Sequence, residues 1–214
     1  MPLQTGFGQN WLETTGELVT GAKFHPQAQR VGDLSVQTIM SSPEIGSSTV
    51  RIMYYLAIAC AQRSIFIANP YFIPDDVMTE ALLKAVRRGV RVIVLAPGKI
   101  DSQLTYTVSR SHYGRLLLGG AEIFEYQAAL MHAKTMVIDG IWATIGSTNF
   151  DNRSFALNQE LNLTVYDASL ARHLEVIFQD DLKYSKKITY EEWNSRSVFE
   201  RLFELFAFPV REQL

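Results

Sequence analysis

Two rhythms of apolar residues run along this chain from residue 49 onward. Residues 49–63 make a helix candidate that Thr49 is placed to cap. Asp75 is placed to cap a second helix, in which Val77, Ala81, Leu82, Ala85 and Val86 form one apolar stripe and Gly89 marks the end. Residues 103–118 and 168–182 read as further helices. Between them lie short apolar runs of strand type at 64–69, 90–96 and 122–126. The order β-α-β-α-β predicts a parallel sheet with helices packed on it. The expected fold class is therefore α/β, with a mixed, mainly parallel β-sheet flanked by helices. Residues 1–48 are rich in Gly, Ser, Thr and Pro and offer one strand candidate, at 34–39.

The second half of the chain carries a pattern of period two. Asp139-Gly140 favours a two-residue hairpin turn. Counting outward from it pairs Ile138 with Ile141, Met136 with Ala143, Lys134 with Ile145 and His132 with Ser147. Side chains alternate faces along a strand, so His132, Lys134, Ser147 and Asn149 are expected on one face. Residues 158–165 also alternate, with Leu161, Leu163 and Val165 on one face and Asn158, Glu160, Asn162 and Thr164 on the other. The polar face is expected to line a cleft. Glu160 is a candidate to accept a proton from His132 and so fix its tautomer, with Arg153 as its alternative partner. Asp139 lies an odd number of residues from His132, in the turn or on the other face, and is expected to position the hairpin. An imidazole, an ammonium and two hydrogen-bonding groups on one patch suit phosphate chemistry.

His132-Ala133-Lys134 with Asp139, followed by Gly146-Ser147-Thr148-Asn149, resembles the HKD motif of the phospholipase D superfamily. The run from Met131 to Gly140 and on through Ser154 is similar to bacterial cardiolipin synthases. So are Asn69-Pro70-Tyr71-Phe72-Ile73-Pro74-Asp75, Leu95-Ala96-Pro97-Gly98-Lys99 and Phe124-Glu125-Tyr126-Gln127. The resemblance implies a catalytic set of His132, Lys134, Asp139 and Glu160, with Ser147 and Asn149 binding substrate. That family carries two motifs, one per half, and this chain carries one. It therefore resembles the C-terminal half of a two-motif enzyme. On that resemblance, 1–48 is a remnant of the first half plus a linker, 49–183 a catalytic half, and 184–214 an amphipathic helical tail. The implied reaction is phosphatidyl transfer through a phosphohistidine, joining two phosphatidylglycerols into cardiolipin when a second motif is supplied. His132 is implied as the acid/base, because the first motif usually supplies the nucleophile. The alternatives are a homodimeric nuclease-like phosphodiesterase and an inactive half-enzyme. The implied partners are a phosphatidylglycerol-like substrate, a membrane surface, and a second motif from another chain or a second copy.

Composition narrows these readings. A net charge of −2 without a long basic run argues against nucleic acid as the partner, since proteins that grip it by its phosphates are ordinarily basic. Cys60 is the only cysteine, which removes an internal disulfide and a cysteine metal site and suits a reducing compartment. No cofactor or metal is expected. The apolar stretches fall short of the roughly 18–20 residues that a spanning helix needs, and the implied location is cytoplasmic, peripheral to the inner face of the cell membrane. In the tail, Phe199, Leu202, Phe203 and Phe206 fall at helical spacing after Lys183, Lys186 and Lys187. They suit either an anionic bilayer or packing against protein. Tyr71-Phe72-Ile73-Pro74 suits either a substrate channel or the core.

Overall fold

A strand that is apolar on both faces needs cover on both, and the runs at 64–69 and 90–96, polar only at Ser64, Asn69 and Arg91, are of this kind. In the computed structural model, which describes residues 2–27, 29, 31–43, 49–99 and 102–196, they become β2 (Ser64–Ala68) and β3 (Arg91–Pro97) in the middle of the sheet. On one face Ile65, Ile67, Val92 and Val94 pack under α2 (Thr49–Cys60), α3 (Asp76–Arg87) and α5 (Tyr113–Leu118). On the other, Phe66, Ala68, Ile93 and Leu95 pack under α7 (Ala168–Leu182). The Phe66 and Phe178 rings stack there, 5.2 Å between centroids. Asp75 caps α3 as its position predicts, accepting from the Met78 N–H at 2.7 Å.

The remaining described elements are α1 (Pro2–Thr15), β1 (Val36–Ser41), α4 (Gln103–Ser111), β4 (Glu122–Tyr126), β5 (Thr135–Ile138), β6 (Trp142–Gly146), α6 (Asn152–Ala156), β7 (Glu160–Tyr166), β8 (Ser185–Ile188) and α8 (Tyr190–Asn194). The described residues form one eight-stranded sheet in the order β1-β7-β6-β5-β2-β3-β4-β8. The α/β class holds, but the expectation of a mainly parallel sheet does not. Only β2–β3 and β3–β4 pair in parallel, and the other neighbours are antiparallel. The reason is local. Parallel pairing requires a crossover between neighbouring strands, and α3 and the α4–α5 pair supply one from β2 to β3 and from β3 to β4. By contrast, α2 and α7 join strands that are not neighbours, and the five-residue α6 joins the antiparallel β6 and β7.

The hairpin corrects a second expectation. Asp139 and Gly140 both adopt positive φ, 56° and 64°, and the Ile141 N–H reaches the Ile138 carbonyl at 3.1 Å. This is the turn that the Asp-Gly pair favours. Pairing, however, resumes one residue later, with Ile138 opposite Trp142, Met136 opposite Thr144 and Thr135 opposite Ile145. Asp139 is held to β2 by its own N–H, which donates to the Ser64 carbonyl at 3.0 Å. Ile141 is left as the extra residue. A slip of one residue exchanges faces, so Gly146, not Ile145, meets Lys134, its N–H donating to the Lys134 carbonyl at 3.2 Å.

The ends of the chain also differ from expectation. β1 falls two residues beyond the predicted strand and closes one edge of the sheet. At the other edge, residues placed in a helical tail form β8, where Lys186 pairs with Glu192 and Lys187 with Glu122. Lys183 pairs with Asp180. Phe199, Leu202, Phe203 and Phe206 lie outside the described residues. Among the described residues, no helix is long and apolar enough to cross a membrane.

Asp139 anchors the hairpin. Its carboxylate accepts from the backbone N–H groups of Gln62 at 2.9 Å, Arg63 at 2.7 Å and Ser64 at 2.9 Å. Burial acts to raise its pKa, but these three donors and the Arg63 charge outweigh burial and hold it below the usual carboxylate range. A lowered folded value means stability that is full above the unfolded pKa and lost as pH falls through the folded one. Asp139→Asn is expected to destabilise the protein by about 1–3 kcal/mol at pH 7. In urea melts from pH 7 to pH 3 the gap between wild type and variant is expected to shrink. A constant gap would contradict this role for the charge.

Candidate functional site

His132 and Lys134 lie on the stretch leading into β5, and their burial differs sharply. The imidazole is exposed, whereas the ammonium-bearing side chain is only 9% exposed. Lys134 Nζ lies 3.1 Å from His132 Nδ1, 3.5 Å from Nε2 and 3.1 Å from the His132 carbonyl. An ammonium can only donate, so it directs its protons at the imidazole and the adjacent backbone. The Tyr71 ring meets His132 edge-on, 6.1 Å between centroids at 84°. Phe72 and Ile73, its neighbours in sequence, are core residues. Of the segment read as channel or core, Tyr71 alone reaches the imidazole.

Beyond β6 the sheet ladder stops, and other contacts shape residues 147–150. Asn162, wholly buried, accepts from the Thr148 hydroxyl at 2.7 Å and the Thr148 N–H at 3.4 Å. Its NH₂ donates to the Tyr54 hydroxyl at 3.0 Å and to Thr144 Oγ1 at 3.2 Å. A side chain at Gly146 would collide with this carboxamide, so only glycine lets Asn162 approach. From the other side Asn69 Oδ1 accepts from the N–H groups of Phe150 at 3.1 Å and Tyr71 at 3.2 Å. Asn69 therefore ties the segment bearing Asn149 to the loop bearing Tyr71. Asn149 Oδ1 is buried and has no hydrogen-bond partner among the described residues.

The polar face of β7 does not line a cleft as expected. Asn162 and Thr164 are buried, and only Glu160, at the strand's first position, borders open space. Glu160 corrects a further expectation. Its carboxylate accepts from the Ser147 hydroxyl in a short hydrogen bond and from Asn158 Nδ2 at 3.2 Å. Neither His132 nor Arg153 is its partner among the described residues. Ser147, immediately after β6, reaches the carboxylate first. Asp139 sits in the turn at the far end of β5 from His132, where it holds the hairpin. The structure thus joins His132 to Lys134 and Ser147 to Glu160, and leaves Asn149 Oδ1 without a partner among the described residues.

Sequence reasoning missed Asn69 and Asn162 as organisers of the site. Asn69 carried one signal, its place between a buried strand and Pro70. Asn162 carried another, a polar residue between two leucines in a strand.

A protein-family model described as "Cardiolipin synthase, PLD-like domain" matches residues 54–182, more than half of the chain. The chain belongs to this family. This PLD-like chain is 37% identical over 204 residues to Cardiolipin synthase 2 of Bacillus cereus, covering 94% of this chain and 40% of the relative. Its identity to the cardiolipin synthase of Geobacillus sp. (strain WCH70) is also 37% over 204 residues, covering 94% and 41%. The chain thus spans about two fifths of the length of these curated relatives. Among solved structures, the phospholipase D family member Nuc from Salmonella typhimurium superposes with a TM-score of 0.63 at 22% identity, covering 73% of this chain and 99% of that one. Phosphatidylserine synthase of Haemophilus influenzae Rd KW20 gives 0.67 at 17% identity, covering 96% and 51%. These two likenesses are of fold.

One carboxyl of the PLD-like domain titrates against the fold. Asp151 caps α6, accepting from the Ser154 N–H at 2.6 Å. Burial, with the Glu160 charge adding to it, pushes its pKa up to about 6 from 3.8. A raised folded value means a contribution that is full below the unfolded pKa and lost as pH rises through about 6. Asparagine caps a helix as well as aspartate does and carries no charge. Asp151→Asn is therefore expected to gain in melting temperature relative to wild type between pH 5 and pH 8. An unchanged difference across that range would contradict the assignment.

Proposed function

We propose that this chain supplies one half of a phospholipase D-type phosphatidyltransferase site, acting on the phosphodiester of a phosphatidylglycerol-like lipid. The observation that carries the reading is the buried Lys134 ammonium set 3.1 Å from the exposed His132 imidazole, in a chain of the cardiolipin synthase, PLD-like family. A cation beside a proton-transferring ring suits a reaction in which negative charge stays on nonbridging oxygens while alcohols leave and arrive.

In this scheme a second motif's imidazole, from another chain or a second copy, attacks phosphorus. A nitrogen–phosphorus bond forms, the bond to the leaving glycerol oxygen breaks, and His132 gives that oxygen its proton. The incoming alcohol then passes its proton back to His132 as its oxygen attacks phosphorus and releases the first imidazole. With the free glycerol hydroxyl of a second phosphatidylglycerol as the incoming alcohol, the products are cardiolipin and glycerol. With water the product is phosphatidic acid. Lys134 and Asn149 hold the nonbridging oxygens. Asn149 fits because its Nδ2 can donate to such an oxygen, while its buried Oδ1, unpaired among the described residues, is left to accept from a substrate hydroxyl. Ser147 and Glu160, bonded to each other, orient the substrate beside them. Asp139 acts at a distance, by fixing β5. A lipid substrate calls for a membrane surface, and the proposed location is the inner face of the cell membrane, as a peripheral protein.

A second reading has one observation in its favour. Nuc is matched over 99% of its length by 73% of this chain, so a chain of this size can make a whole member of the fold. Two copies would then pair across a two-fold axis as a phosphodiesterase.

The test is turnover of dioctanoyl phosphatidylglycerol, with products followed by ³¹P NMR and mass spectrometry over a range of protein concentrations. Wild type is expected to release glycerol, with His132→Ala lower by about 10²–10⁴-fold and Lys134→Met similarly impaired. Equal rates for wild type and His132→Ala would remove His132 from the mechanism. Hydrolysis of bis(p-nitrophenyl) phosphate with no transfer to alcohol would favour the paired phosphodiesterase.

A further inference from the structure

An imidazole that transfers protons is ordinarily oriented by a carboxylate or carbonyl bonded to its second nitrogen. Glu160, expected in that part, accepts from Ser147 and Asn158 instead. His132 is exposed and lies ahead of β5, outside the ladder. Lys134 Nζ sits 3.1 Å from one ring nitrogen and 3.5 Å from the other. An ammonium is a compact charge with rotatable donors, so this contact does little to fix the plane of the ring.

Tyr71 meets the imidazole edge-on, 6.1 Å between centroids at 84°. In this arrangement the positive edge of one ring faces the negative face of the other. Unlike a point charge, such a contact depends on the plane of the imidazole. At the usual strength of an aromatic pair it biases the ring's orientation about two- to tenfold. Tyr71 is itself held from several directions. Its N–H donates to Asn69 Oδ1 at 3.2 Å. Phe72, the next residue, is buried and bridges to Phe150. Tyr71 also shares a crevice of about 10 Å³, no larger than one water, with Pro97, Ser102, Tyr106 and Tyr113. Behind that crevice the Tyr106 hydroxyl donates to buried Glu125 at 3.3 Å and accepts from Arg110 at 3.2 Å.

We propose that Tyr71 is the positioning residue of His132, fixing the plane of the imidazole through its aromatic ring and not through its hydroxyl. The effect on turnover rests on the function proposed above, whereas the ordering of the imidazole does not.

Two variants separate the ring from its bulk, since Tyr71→Phe keeps the aromatic ring and Tyr71→Leu keeps much of the volume without it. With dioctanoyl phosphatidylglycerol, Tyr71→Leu is expected to lower kcat about two- to tenfold at a KM within about twofold of wild type. Tyr71→Phe is expected to stay within about twofold on both. The order of the His132 ring, read by ¹³C relaxation at Cδ2 and Cε1, requires no substrate. It is expected to be high in wild type and Tyr71→Phe and to fall in Tyr71→Leu. A ring equally ordered in all three proteins would overturn the proposal, as would an equal loss of kcat in Tyr71→Phe. A raised KM at unchanged kcat in Tyr71→Leu would also overturn it, being the mark of a substrate contact. Ring order lost in Tyr71→Leu, in a protein whose wild type turns nothing over, would uphold the positioning and sink only the transfer reading.

Discussion

Residues 147–150 run past the end of β6 with backbone bonds only at their two ends, Ser147 to Leu161 and Phe150 to Ile73, and two buried carboxamides hold what lies between. Asn162 grips Thr148 from the α2 side, and Asn69 grips Phe150 and the Tyr71 N–H from the β2 side. An unsatisfied buried amide costs about 1–3 kcal/mol, so both asparagines are stable only with this segment in place. The dependence is mutual. Tyr54, Phe72, Phe150 and Phe155 pack ring against ring around it, which makes the support rigid. A loop fixed in this way can present a side chain to a ligand without first being ordered.

Electrostatics follow from that frame. Burial of Lys134 is costly for an ammonium, and the contacts to His132 offset part of the cost while aiming the charge at the imidazole. The two aspartates near the hairpin and α6 behave oppositely for the same underlying reason. Burial raises both, yet Asp139 collects enough N–H donors to end below the usual range, whereas Asp151 faces Glu160 and ends above it. The first is a structural anchor that needs its charge, and the second is a cap that does not.

Much of this was legible in the sequence, and the failures have physical causes. Helices α2, α3 and α7 announce themselves through caps and stripes, and Asp139-Gly140 announces its turn. A turn dipeptide does not say how many residues pass before pairing resumes, so the register came out one residue off and Ser147 and Asn149 were placed on the wrong ladder face. Alternation in β7 identified two faces but not which one a helix would cover. Here Tyr54 and Thr144 supply polar partners, so the polar face turns inward. The partner of Glu160 depends on Ser147 at the edge of β6, which no local pattern reveals. The parallel β-α-β start holds but does not extend, because β5 and β6 join by a tight turn, α6 is too short to carry the chain across, and α7 leads to a strand at the opposite edge.

The central claim is that His132 and Lys134 together grip a phosphodiester. Its most direct measurement is ¹H–¹⁵N NMR of the imidazole and lysine side chains during titration with dioctanoyl phosphatidylglycerol below its micellar concentration. Saturable shifts at both His132 ring nitrogens and Lys134 Nζ, abolished by Lys134→Met, are the predicted result. Shifts confined to other residues, or unaltered at His132 in Lys134→Met, would contradict it.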